Sequence, residues 1–197
     1  NLMNTGTPAK NVVIYDTLET GTAMDGTSSQ WKGVFDRVDV SAAQELGLNP
    51  QVWYSESENP GDLGNSEWTN TAPSDPAKVK SIAVDFGDTR MKTSEDVYVE
   101  VFMTAPAAQE SLVGKQTVND FRITYNAAGE DGFLDSNAVR VKLDYPKGTV
   151  AIRKVDEVSD APLTGYEFIL IDNTGATAAT ITDSGMSPEE VKTGTYT

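Results

Sequence analysis

The chain has 197 residues, 38% hydrophobic and 23% charged, and its 15 basic against 30 acidic residues give a formal net charge of −15. That length holds one large or two small domains, each able to bury a core, and the composition is that of a soluble globular protein. Such a negative surface repels phosphate, which argues against nucleic acid or an anionic membrane as partner, and no apolar run approaches the roughly 20 residues of a membrane span.

Cysteine and histidine are both absent. Disulfides, thiolate nucleophiles, cysteine or histidine zinc sites and a histidine general base are thereby removed from consideration. The chain opens on Asn1 with neither an initiator methionine nor a secretion signal, which leads us to expect a processed piece or a fragment.

Taken in chain order, apolar and polar residues alternate at period two, with Gly, Pro, Asn and Asp between the runs. The alternation predicts strands at 11–16, 51–54, 80–85, 97–103, 120–125, 139–143, 149–155, 166–171 and 178–182. Helical signal is thin. Ser41–Leu46 reads as one turn with Ser41 as N-cap and Gly47 as stop, and Asp75–Val79 as another with Pro76 at the first helical position. Short strands at this spacing predict an all-β protein built from sandwiches.

A boundary is expected near the D-Y-P-K-G run of 144–148, giving domains 1–145 and 146–197. The second holds only three or four predicted strands, few for an independent two-sheet sandwich. Gly194–Thr197 reads as half a strand and Asn1–Ala9 as a turn without its preceding strand, so both ends are expected to be cut.

Within the second domain Val150, Ile152 and Lys154 alternate, which turns Lys154 towards an apolar face. Desolvation makes such an amine neutral and nucleophilic towards a carboxyl or carboxamide carbon, given a nearby acid to polarise the carbonyl. The plainer alternative is a packed stem with the ammonium reaching water. Glu130, Asp131, Asp135 and Asn137 lie in A-A-G-E-D-G-F-L-D-S-N, read as a hairpin loop. Its Asp131 and Asp135 are the candidate calcium ligands, although the spacing of a helical calcium loop is missing. Of Trp31, Trp53 and Trp68, the last lies in a polar loop-like run, where an exposed ring would serve as a platform for glycan or protein. Ser29-x-x-Lys32 and Lys192-Thr-Gly194 imitate two β-lactamase elements, but the third is missing and we read no enzyme here.

The run Lys154-Val-Asp156, then Ala161-Pro-Leu-Thr-Gly165, then Tyr166-Glu-Phe-Ile-Leu-Ile-Asp172 and Asn173-Thr-Gly175, resembles the opening of a Cna-B-type domain. These β-sandwich modules, also called SpaA-like or prealbumin-like, belong to Gram-positive surface proteins, pilins and collagen-adhesin stalks. The resemblance begins near residue 147 and covers the rest of the chain, Gly194-Thr-Tyr-Thr197 being similar to the family's next strand. It implies that Lys154 forms an intramolecular isopeptide bond with an Asn or Asp of the last strand, assisted by a Glu. Neither of those positions falls within this sequence, and Glu189 and Glu190 precede Gly194-Thr-Tyr-Thr197, so they do not match the assisting acid. Asn4-Thr-Gly-Thr-Pro-Ala-Lys-Asn-Val-Val-Ile-Tyr-Asp-Thr-Leu18 resembles, more loosely, the immunoglobulin-like repeats that precede such modules; Lys80–Asp88 and Val101–Pro106 do so too.

The resemblance thus implies tandem immunoglobulin-like β-sandwiches, the second incomplete. It also implies a non-enzymatic structural or adhesive role at a Gram-positive cell surface or pilus, with wall anchoring. The partners it implies are other domains or subunits of the same assembly, or a host matrix protein or glycan gripped by loops of the first domain. No cofactor is expected apart from the calcium considered above.

Overall fold

Alternation at period two becomes strand in most of the predicted runs. The computed structural model describes residues 2–4, 6–18, 22–94, 96–107, 111–145, 147–150, 154–172, 174–182 and 189–192, with 147–150, 182 and 189–192 described through their backbone. It forms two units, Asn1–Ala107 with Gly114–Leu143, and Ala108–Val113 with Asp144–Thr197.

The first unit runs β1 (Leu2–Met3), β2 (Ala9–Thr17), β3 (Val34–Asp39), α1 (Ser41–Glu45), β4 (Gln51–Ser55), a 3-10 turn (Pro76–Lys78), β5 (Ser81–Asp85) and β6 (Asp96–Val97). It continues with β7 (Glu100–Thr104), β8 (Gln116–Asn119), β9 (Arg122–Ala127), β10 (Glu130–Asp135) and β11 (Val139–Lys142). The second unit holds β12 (Lys147–Val150), β13 (Glu167–Ile171), β14 (Thr177–Thr182) and β15 (Glu189–Lys192). Among the described residues the chain is all-β apart from two short helical turns.

A five-stranded antiparallel sheet, in the order β10-β9-β2-β5-β4, frames the first unit, with β1–β6, β3–β7 and β8–β11 as two-stranded pairs beside it. Asn11, at φ +51, sits where β2 and β9 shift register, and this sets the phase of everything after it. From there Val12, Ile14, Asp16 and Leu18 share one face. Val12 packs with Val84, Phe86, Met91, Val97 and Ile123. Further along, Leu18 packs with Phe35, Val79 and Ile82, and Val101 joins that cluster from its rim. The pair β3–β7 and strand β6 thus lie over one face of the large sheet, a two-layer sandwich.

The other face of the sheet is covered by a loop. Tyr15, Ala83 and Trp53 are neighbours across β2, β5 and β4. The Trp68 ring lies 6.1 Å from that of Tyr15, and the Tyr15 hydroxyl accepts from the Leu63 N–H at 3.1 Å. This is why β5 is buried on both sides while its neighbours keep one partly open.

Several expectations need correction. Val40, not Ser41, caps α1; Asp39 Oδ1 takes the Ser41 N–H at 2.8 Å, so the capping acid sits two residues before the serine. Gly47, at φ +79, stops the helix as expected. Pro76 stands at the start of the 3-10 turn, as expected, and Asp75 before it accepts from the Ala77 N–H. The strand expected over 97–103 is two strands, because β6 pairs with β1 and β7 with β3. The acidic hairpin loop is mostly strand: β10 pairs with β9 from Glu130 to Asp135, and the turn falls on Ala128 and Gly129, both at positive φ. Gly132 has its own reason, since a Cβ there would meet the ring of Tyr125, its cross-strand partner, at 2.8 Å.

In the second unit β12 pairs with β15 and β13 with β14. Among the described residues its buried side chains are Leu170 and Ile181, facing each other's strands across the β13–β14 hairpin.

Candidate functional site

Around Lys154 the motif residues build turns. Asp156 Oδ1 accepts from the Val158 and Ser159 N–H groups at 3.1 and 2.9 Å and from Ser159 Oγ at 2.8 Å. Those bonds, the Ser159 N–H first, hold its carboxyl below the usual range. Lys154 O accepts from the Leu163 N–H at 2.9 Å, and Val155 bridges to Pro162, so this arm folds back on itself. Asp172 Oδ1 does the same job at the next turn, accepting from Thr174 N–H, Thr174 Oγ1 and Ala176 N–H at 2.8, 2.6 and 3.1 Å, ahead of Gly175 at φ +84. The spacing that carries the resemblance is therefore the spacing of two Asx turns and the strand β13 between them.

Lys154 itself is exposed, not turned to a core. Its Nζ stands 3.7 Å from the centre of the Tyr166 ring, a cation–π contact that keeps the ammonium at the surface. The alternation that suggested burial ran through Ile152, which lies outside the described residues, as does Gly194–Thr197.

Trp68 is only 8% exposed, and its Nε1 donates to Gly61 O at 3.0 Å. A stacking platform needs an open ring face, and this ring spends its face on Tyr15. Trp68 anchors the covering loop. Trp31 is likewise buried, with Nε1 bonded to Lys115 O at 3.0 Å.

Asp131 and Asp135 are not brought together. They stand four residues apart on β10, so roughly 13 Å of strand separates them. Asp131 accepts from Asn126 Nδ2 at 2.7 Å, and Asp135 forms a fork with Arg122 at 2.6 and 3.0 Å. The Arg122 hydrogen bond is the main cause holding the Asp135 carboxyl low. Among the described residues no group of three or more acidic side chains converges to hold a metal ion.

The residue missed in the sequence is Asp16. It shares the inward face of β2 with Val12, Ile14 and Leu18 and is 6% exposed. Its Oδ2 accepts from Asn119 Nδ2 at 2.9 Å, while Oδ1 is buried without a hydrogen-bond partner among the described residues. Burial pushes its carboxyl up to about 7; the Asn119 bond opposes this and the nearby Asp120 charge adds to it. Reading Val12, Ile14, Asp16 and Leu18 as one face would have found it, since an acid in phase with a core is the same anomaly sought at Lys154.

Comparison with the known protein families finds no match, and no curated protein matches either. One solved structure is similar. It is a crystal structure of BcpA, the major pilin subunit of Bacillus cereus, 16% identical with a TM-score of 0.38. The match covers 96% of this chain and 48% of that one, so the chain spans about half the length of that pilin. At that level of superposition the likeness carries no functional argument. No helix among the described residues is long and apolar enough to cross a membrane.

Proposed function

We propose that this chain is a structural or adhesive module of a Gram-positive cell-surface or pilus protein, clamped in the natural protein by an isopeptide bond from Lys154 to an Asn or Asp. The observation that carries the proposal is the segment from Lys154 to Gly175. There Asp156 and Asp172 close the turns and Tyr166 seats the Lys154 ammonium. An extracellular chain without cysteine gains from such a bond what a disulfide would give it, a constrained unfolded state. In this reading the module is not an enzyme, sits at the wall-anchored surface and meets other domains or subunits of its own assembly.

Mass spectrometry of the intact natural protein tests the clamp. Bond formation removes one ammonia for an Asn partner or one water for an Asp, and Lys154→Ala restores the full mass. Full mass in the unmutated protein sinks the proposal. Gripping of host matrix protein or glycan by the first domain loses its anchor residue, because Trp68 is committed to Tyr15 and Gly61.

A further inference from the structure

Behind Asp16 lies a cavity of about 220 Å³ between the layers of the first unit. Its walls include Ile14, Asp16 and Val84 from the large sheet, Val101 from β7, Asn119 from β8 and Val139 from β11. Among the described strands, β7 pairs only with β3 and β11 only with β8. Among the described residues, then, each keeps one edge of unpaired N–H and C=O groups, the template on which another strand adds. On β11, Val139 and Val141 point to one side and are 60% and 54% exposed, although Val139 already lines the cavity. A cavity of this size takes about two side chains. Three features therefore coincide at one place: unpaired edges, uncovered valines and a buried acid with an oxygen left over.

We propose that this opening accepts an extended strand from a partner polypeptide, with apolar residues at alternate positions and one inward side chain ending in an N–H donor that reaches Asp16 Oδ1. The strand backbone extends the edge of β11 or β7, and its inward side chains fill the cavity. An apolar stem suits the valine and isoleucine walls, and a terminal N–H satisfies Asp16 Oδ1, which is buried without a hydrogen-bond partner among the described residues. A second copy of this chain fits poorly, because two bodies each of net charge −15 repel. A neutral or basic strand is the complementary occupant. The inference does not depend on the clamp at Lys154.

The test uses the full 197-residue chain and a soluble peptide of sequence Lys-Val-Thr-Xaa-Thr-Val-Lys, blocked at both ends, with Xaa as lysine, glutamine or norleucine. Binding is followed by methyl NMR of the valines. The lysine or glutamine peptide is expected to bind about tenfold more tightly than the norleucine peptide, with Val101 and Val139 shifting. Asp16→Val should level the three affinities, and the double substitution Val139→Glu with Val141→Glu, at exposed sites that leave the core alone, should abolish binding. Failure of all three peptides to bind, equal binding by all three, or binding untouched by the double substitution overturns the proposal. So does a concentration-dependent dimer that excludes the peptides, since the occupant is then a second copy.

Discussion

The two units solve the same problem of stability to different extents. The first buries Val12, Ile82, Val84 and Val97 between layers and covers the back of β5 with a loop pinned by Trp68. The second, among its described residues, buries Leu170 and Ile181 while Ile169 is 53% and Val158 95% exposed. Both read as alternating strands in sequence, so alternation alone does not make a core. A second layer makes it, and the first unit supplies that layer from its own residues. The Lys154 clamp is the device by which, in our proposal, the natural protein offsets the sparse burial among the second unit's described residues.

The comparison can be broken most decisively by paired truncations. Ile82→Ala in the first unit should cost about 4 kcal/mol in urea unfolding, because it removes a fully enclosed side chain. Ile169→Ala in the second should fall within about 0.5 kcal/mol, as for an exposed site. Equal losses would mean that the two units are equally well packed.

Asp16 sharpens the picture of the first core. Its carboxyl is pushed up to about 7 in the folded protein against 3.8 ordinarily. The folded state therefore holds this proton more tightly. The stability it preserves is complete below about pH 4, declines as pH rises to about 7, and is lost above that. Asp16→Asn should flatten this slope and add roughly 3 kcal/mol at pH 8 while adding little at pH 4. Asp39 and Asp135, whose carboxyls are held low, act in the opposite sense and only as pH falls below their ordinary range. Denaturation from pH 4 to 8 separates the two groups, and an unchanged slope in the variant would show that Asp16 is not the titrating group.

Smaller effects test the outer surfaces of the first unit. Trp68→Phe keeps the ring but loses the bond to Gly61 O, and should cost about 1 kcal/mol with faster amide exchange at Leu63. Gly132→Ala sets a methyl against the Tyr125 ring and should cost about 1 kcal/mol, recovered in large part by adding Tyr125→Ser. No recovery would place the cost in the backbone of β10 instead.

Much of this was legible in the residues. The runs at 51–54 and 80–85 are β4 and β5 nearly to the residue, because short apolar runs of β-branched and aromatic side chains stand there between turn signals. Strands β3, β8 and β10 were not predicted. V-F-D-R-V-D, Q-T-V-N and E-D-G-F-L-D carry so many polar residues that only cross-strand pairing reveals them, and edge strands tolerate such sequences. Lys154 and Asp16 teach the complementary lesson. Each stands in phase with apolar neighbours, yet only Asp16 is covered, because what lies over a strand's face is set by distant residues and not by its own alternation.

The central claim is the clamp, and peptide mapping of the protein isolated from its natural source tests it most directly. The account predicts that trypsin fails to cut after Lys154 and that a branched peptide joins Lys154 to an Asn or Asp, one ammonia or one water lighter than its parts. An unbranched peptide ending at a free Lys154, recovered in full yield, would contradict it.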